Sequence, residues 1–207
     1  MVKVIQLLKK LNNTELGKAG TNDTYVLIPN DLDISDLFEA ADETVVFTDM
    51  ETGGEVCVRN TVGREKRIVG LGQYYRLKDL SAGDEILFEK RIMPDCVKYL
   101  VNVRKNNHVL VFQKERHGFE ILTPGRLVHF ENIADEMGEH VDIRFLCSGK
   151  KRNDSPENTD FYDISIDGES ILEKFHAKEI GELEIGGGSM KLKNFYGWKK
   201  YIFEMEG

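Results

Sequence analysis

Apolar and polar residues alternate through much of the first half of the chain, a period that predicts strands more than helices. Thr24–Ile28 is a short apolar run stopped by Pro29 and Asn30, and Val45–Phe47 and Glu55–Arg59 flank a turn at Asp49–Gly54. After the turn Ser81–Asp84, the segments Glu85–Phe88, Val97–Val103 and Val109–Phe112 extend the β-rich set, the last two joined by the polar hairpin Arg104–His108. Helical spacing occurs twice. Ile34, Leu37, Phe38 and Ala41 fall at i, i+3, i+4 and i+7 and predict a short helix over Asp33–Ala41, with early acids near its N-terminal dipole. Tyr74–Leu80 predicts two further helical turns.

The character shifts between Gly118 and Pro124. Beyond that point the pattern predicts a short helix within Gly125–Met137, strands at Val141–Cys147 and Phe161–Ile166, and a helix over Ser170–His176. Three glycines at 186–188 break the chain before a last pair of strands, Met190–Phe195 and Lys200–Phe203. The expectation is a mostly β chain with short helices, divided into domains at 1–118 and 119–207, the second a small α+β unit.

Composition narrows the class. With 207 residues, 41% of them hydrophobic, the chain can bury a core, which excludes wholesale disorder. No apolar run approaches the roughly 20 residues of a membrane helix, and Met1–Lys10 lacks the features of a secretion signal, so no membrane partner is expected. Cys57, Cys96 and Cys147 are odd in number and scattered, which argues against a disulfide framework or a structural zinc site and fits a reducing cytoplasm. The net charge of −8 is unevenly spread: residues 31–51 hold eight acids and no base, whereas residues 52–118 hold thirteen bases against eight acids. A basic middle lies between acidic stretches, so one face of the molecule could meet a polyanion despite the overall sign.

The motifs of catalysis are missing. Gly17-Lys18 and Gly149-Lys150 lack the remainder of a phosphate-binding loop. No lysine has Asp or Glu two residues before it, as a common magnesium nuclease requires, and the five histidines lie far apart without metal-ligand spacing. The sequence therefore predicts that this chain is not itself an enzyme.

The informative segment is Val56–Arg76, with five bases (Arg59, Arg64, Lys66, Arg67 and Arg76) against the single acid Glu65, plus Asn60 and Thr61. The arginine fork fits guanine O6 and N7, the asparagine amide fits adenine N6 and N7, and lysine suits phosphate as a point charge. A second polar loop, Gly17–Thr24, precedes the first strand and offers Lys18, Thr21, Asn22 and Asp23. A solvated loop charged for solubility is the alternative for both.

The order of these elements resembles the B3-like pseudobarrel of plant B3 transcription factors and of the recognition domains of EcoRII- and BfiI-type restriction endonucleases. The resemblance lies in the polar loop, the strand ending Leu27-Ile-Pro-Asn30, the Asp33–Ala41 segment, strands at Thr44–Thr48 and Glu55–Arg59, and the basic arm with Arg67-Ile-Val-Gly-Leu71. Tyr74–Leu80 and Leu80–Phe88 stand where that family has its second helix and the strand after it, so the likeness covers roughly residues 10–117. It implies a seven-stranded pseudobarrel that grips the DNA major groove with two arms. The N-arm corresponds to Lys18–Tyr25 and the C-arm to Arg59–Arg67, with Lys18, Thr21, Asn22, Asp23, Arg59, Asn60, Arg64 and Arg67 reading bases. Lys66, Arg76, Arg104 and Lys105 are then the phosphate contacts, and no cofactor is required. A looser similarity to the N-terminal region of LlaJI-type McrB-like restriction subunits implies that a motor domain or nuclease subunit is a partner, and that the role is target recognition in a restriction system. Two rivals stand beside this: a metal-dependent nuclease using Asp160, Asp163, Asp167 and Glu169, and a β-barrel that binds an acidic protein.

Overall fold

A computed structural model describes residues 1–20, 22–151, 153–155, 157–195 and 197–206. The chain is mostly β and divides into two units, residues 1–105 with 197–207, and residues 106–196. The boundary expected at Gly118 falls instead at the turn of a hairpin inside the second unit, and the chain returns to the first unit for its last strand.

The first unit contains β1 (Val2–Lys10), β2 (Tyr25–Ile28), β3 (Thr44–Asp49), β4 (Glu55–Thr61) and β5 (Lys66–Val69). The helix α1 (Gly72–Leu77), β6 (Glu85–Ile92) and β7 (Val97–Arg104) follow. The second unit holds β8 (Val109–Glu115), β9 (Gly118–Ile121), α2 (Leu127–Glu136), β10 (Val141–Gly149), β11 (Thr159–Ile166), β12 (Glu169–Ser170), β13 (Ile180–Gly186) and β14 (Ser189–Asn194). β15 (Trp198–Met205) belongs to the first unit.

The sheet of the first unit has the order β15-β1-β6-β7-β3-β4-β5-β2, antiparallel except for a short parallel pairing of β3 with β7. It curls until its edge strands communicate: the Trp198 indole on β15 donates to the Leu27 carbonyl on β2 at 2.8 Å. Lys200 adds a hydrogen bond to the Asp33 carbonyl at 2.8 Å and an ion pair with Asp36 at 2.6 Å. Alternation builds the interior. Val45 and Phe47 of β3, and Val56 and Val58 of β4, point inward while their neighbours face out. Phe47 is the hub, with ring centroids 6.0 Å from Phe38, 5.5 Å from Phe88 and 5.4 Å from Tyr99. Burying each such side chain stabilises the fold by about 1.5–3 kcal/mol.

The segment Asp33–Ala41 is a correction to the sequence reading. It forms one helical turn, with Leu37 and Phe38 both donating to the Ile34 carbonyl, and no helix beyond it. Ile34, Leu37 and Phe38 are buried as the stripe predicted. A short helix has a costly nucleus, however, and here the chain must turn at Asp42, at φ +59°, to donate to the Asn60 carbonyl. The helix expected over Ser170–His176 likewise shrinks to the 3₁₀ turn Leu172–Lys174.

The second unit is an antiparallel sheet ordered β10-β11-β9-β8-β13-β14, with β12 paired to β11 and α2 packed on β8 and β10. Its core gathers Phe112, Phe119 and Phe175 edge to face at centroid distances of 4.8–5.7 Å. Gly181 makes room for them, since a Cβ there would lie 2.5 Å from Phe175 and 2.6 Å from Phe112.

Candidate functional site

The two polar segments flagged by the sequence meet at β2, β4 and β5. β5 pairs with β2 on one side (Tyr25 with Val69, Ile28 with Lys66) and with β4 on the other (Arg59 with Val69, Thr61 with Arg67). Thr44, Arg59, Val69 and Tyr25 thus form one cross-strand row, which puts Arg59 two strand spacings, about 10 Å, from the strand that the first loop enters. The first loop leads into β2 at its Tyr25 end, whereas the β4–β5 hairpin tip, residues 62–65, lies at its Ile28 end. Three residue steps along β5, about 10 Å, separate the two bases.

The first loop is built to hold its shape. Buried Glu15 pairs with Lys9 at 3.2 Å, accepts from the Leu27 amide at 2.9 Å, and exchanges backbone-to-side-chain hydrogen bonds with Asn12. Its own carbonyl accepts from Tyr25. Gly17 sits at φ +69°, and a Cβ there would come 3.1 Å from the Asn22 carbonyl oxygen, so only glycine lets the two legs of the loop close. The Lys18 ammonium donates to the Leu80 carbonyl at 2.7 Å, tying the loop to the end of the α1 segment. A cavity of about 520 Å³ opens there, and its lining includes Lys18, Asn22, Thr24, Arg76 and Asp79.

The hairpin holds Arg67 rather than freeing it. Its guanidinium bonds Glu65 at 2.5 and 3.1 Å and lies 4.0 Å over the Tyr25 ring. The Glu65 hydrogen bonds raise its pKa, and the charge of Asp23 adds to them, so the two loops lie within electrostatic reach of each other. Arg59, Arg64 and Arg76 are exposed, and among the described residues none makes an ion pair. Lys66 is exposed and helps hold down the pKa of Asp33, whose main cause is the Ser35 amide.

Apart from Thr21, each expected base-reading residue therefore has a place. Asn22, Asp23, Arg59 and Arg64 are exposed, and Lys18 is exposed with its ammonium bonded. Thr21 lies outside the described residues. Asn60 faces the other way: it shares the inward parity of Val56 and Val58, and its Oδ1 is buried without a partner among the described residues. It lines a cavity of about 230 Å³ together with Ile34, Phe38 and Lys66. That parity was visible in the alternation of Glu55–Arg59. Of the expected phosphate contacts, Lys66 and Arg76 belong to this corner. Arg104 is bonded to Glu85, and Lys105 to the Asp79 carbonyl.

No protein-family model matches the chain, and no curated protein matches it either.

Sequence reasoning passed over one buried network beside the corner. Asp49 starts the expected turn, but its carboxylate also accepts from Tyr74 at 3.0 Å and Thr52 at 2.6 Å and pairs with Lys78 at 2.8 Å. Burial opposes its ionisation, and the bonds from Lys78, Thr52 and Tyr74 outweigh it, holding the carboxyl at about 2. In the second unit, Asp163 accepts from the Ser170 hydroxyl at 2.5 Å and lies 3.5 Å from Arg144, and Asp160 accepts from Ser148. Among the described residues, no three His, Cys, Asp or Glu side chains form a group able to hold a metal ion. No described helix is long and apolar enough to cross a membrane.

Proposed function

We propose that the first unit binds double-stranded DNA site-specifically through the major groove, as a B3-like pseudobarrel whose N-arm is the 18–25 loop and whose C-arm is the 59–67 hairpin. The observation that carries the reading is that two polar loops leave the β2–β5 pair from its opposite ends, their bases about 10 Å apart along the strands, with Arg59, Arg64 and Arg76 exposed and without acid partners among the described residues. The order β2 to β7 with α1 between β5 and β6 supports the same family reading, although the sheet has eight strands, with β1 and β15 lying outside the roughly 10–117 stretch that carries the resemblance. In this reading Arg59, Arg64 and Asn22 read base edges, Lys66 and Arg76 take phosphates, and Arg67 with Glu65 and Tyr25 stiffens the hairpin. Asn60 supports the arm from inside. Recognition uses no cofactor, and a motor or nuclease subunit of a restriction system supplies the chemistry.

The test is a gel shift of the full chain with random-sequence duplexes, followed by repeated selection of the bound fraction. Enrichment of one short site supports the proposal, with a Kd of about 10⁻⁸ M or tighter that weakens steeply with salt. Absence of any enriched site sinks it, and magnesium-dependent cleavage by the chain alone would replace it with the nuclease reading.

A further inference from the structure

Strand edges are where sheets recruit other chains, and proteins guard them with charge, shortness or cover. In the first unit the Trp198 side chain links the two edge strands, β15 and β2, and Lys200 ties β15 to the Asp33–Asp36 segment that follows β2. In the second unit the β14 edge presents Lys191 and Lys193. The β10 edge is different. It is nine residues long, pairs only with β11 among the described residues, and carries Phe145 at 53% exposure and Leu146 at 38%.

The residues of β10 before its bulge complement themselves. An antiparallel copy centred on Ile143 sets Asp142 opposite Arg144 of the second copy, and Arg144 opposite Asp142 of the second copy. Both side chains are on the exposed face of the strand. On the other face, Val141 meets Phe145 of the second copy twice over, around an Ile143 pair. Val141 and Ile143 already pack on the core of this unit, and Phe145 lies edge-on to Tyr162 at 5.9 Å. The join would thus continue an existing apolar layer and cover a half-exposed ring. Arg144 lies 3.5 Å from Asp163 and has enough donors for a second carboxylate. The register shift between Phe145 and Cys147 comes just past the last pair and ends the ladder. From this charge and shape complementarity we infer that β10 is the interface for a second copy of this chain, forming a two-fold dimer through the second unit. The inference does not depend on DNA binding.

Sedimentation velocity of the full chain over a concentration series tests it. The wild-type chain should dimerise, and Asp142→Arg and Arg144→Asp should each weaken dimerisation by about tenfold by placing like charges opposite each other. Phe145→Asp should do the same through the apolar face. Mixing the two charge variants should restore a dimer, because the heterodimer regains both ion pairs. A wild-type chain monomeric at every concentration, single variants that dimerise as well as wild type, or no recovery on mixing would each overturn the inference.

Discussion

In the second unit Arg144, Lys151, Lys178 and Lys193 each lie against a carboxylate, those of Asp163, Glu120, Glu115 and Glu184. At the corner of β2, β4 and β5, Arg59, Arg64 and Arg76 lie against none among the described residues. The second unit has 11 bases and 17 acids, so its cations meet acids readily; the first has 17 and 19. Of the second unit's pairs, Lys193–Glu184 is exposed at both ends and contributes about 0–1 kcal/mol, whereas the carboxylates of Asp163, Glu120 and Glu115 are largely buried and are neutralised by their cations. The arginine forks on β4, at the hairpin tip and on α1 leave their donors open to a group outside the chain. Exposure with no acid partner among the described residues therefore sets apart the cations that the proposed function assigns to DNA, and that contrast can be broken at several points.

The largest effect belongs to a buried pair. Lys9 and Glu15 are 6% and 2% exposed, so Glu15→Ala leaves an unpaired buried ammonium and should cost about 3–5 kcal/mol in denaturant unfolding. At the corner the two assays should separate. Arg59→Ala and Arg64→Ala should leave stability within about 0.5 kcal/mol. Each should cost about 1–3 kcal/mol in binding to the selected DNA site, with discrimination lost at one base pair. Lys66→Ala should weaken all duplexes alike and lower the salt slope by about one, read from Kd against salt concentration. Smallest of all, Lys193→Ala in the second unit, at an ion pair exposed at both ends, should change stability by under about 1 kcal/mol and leave DNA binding untouched.

Acid probes the buried network behind the corner. The folded pKa of Asp49, about 2, lies below its ordinary 3.8, so its contribution is complete above the ordinary value and fades as pH falls through the folded one. Stability measured by chemical denaturation should therefore drop more steeply from about pH 4 to pH 2 in the wild type than in Asp49→Asn. Equal slopes would mean the network of Tyr74, Thr52 and Lys78 does not hold that proton off.

Much of the fold was legible where one face is buried and the other wet. β3, β4, β6 and β7 stand where alternation placed them, and α1 overlaps the expected turns. β1 was not read as a strand because Val4 and Ile5 are both buried, which breaks the alternation. β5 has four residues, two of them basic, and only its pairing with β2 and β4 reveals it. The return of β15 to β1, with Val2 opposite Met205, has no local signal at all, which is why Lys200–Phe203 was expected in the second domain. At the corner, composition picked out the segment and sorted its cations into base-reading and phosphate-contacting ones without knowing their tertiary partners. Which of them is stacked, paired or turned inward depends on Tyr25, Glu65 and the parity of Asn60, and these act through tertiary neighbours.

The most direct measurement is the ratio of affinities for the selected site and for random duplex, compared between the wild-type chain and the Arg59→Ala/Arg64→Ala double variant at one salt concentration. The account predicts a folded double variant whose ratio falls by about one to two orders of magnitude or more, mostly through loss on the selected site. An unchanged ratio, or equal losses on both duplexes, would contradict it.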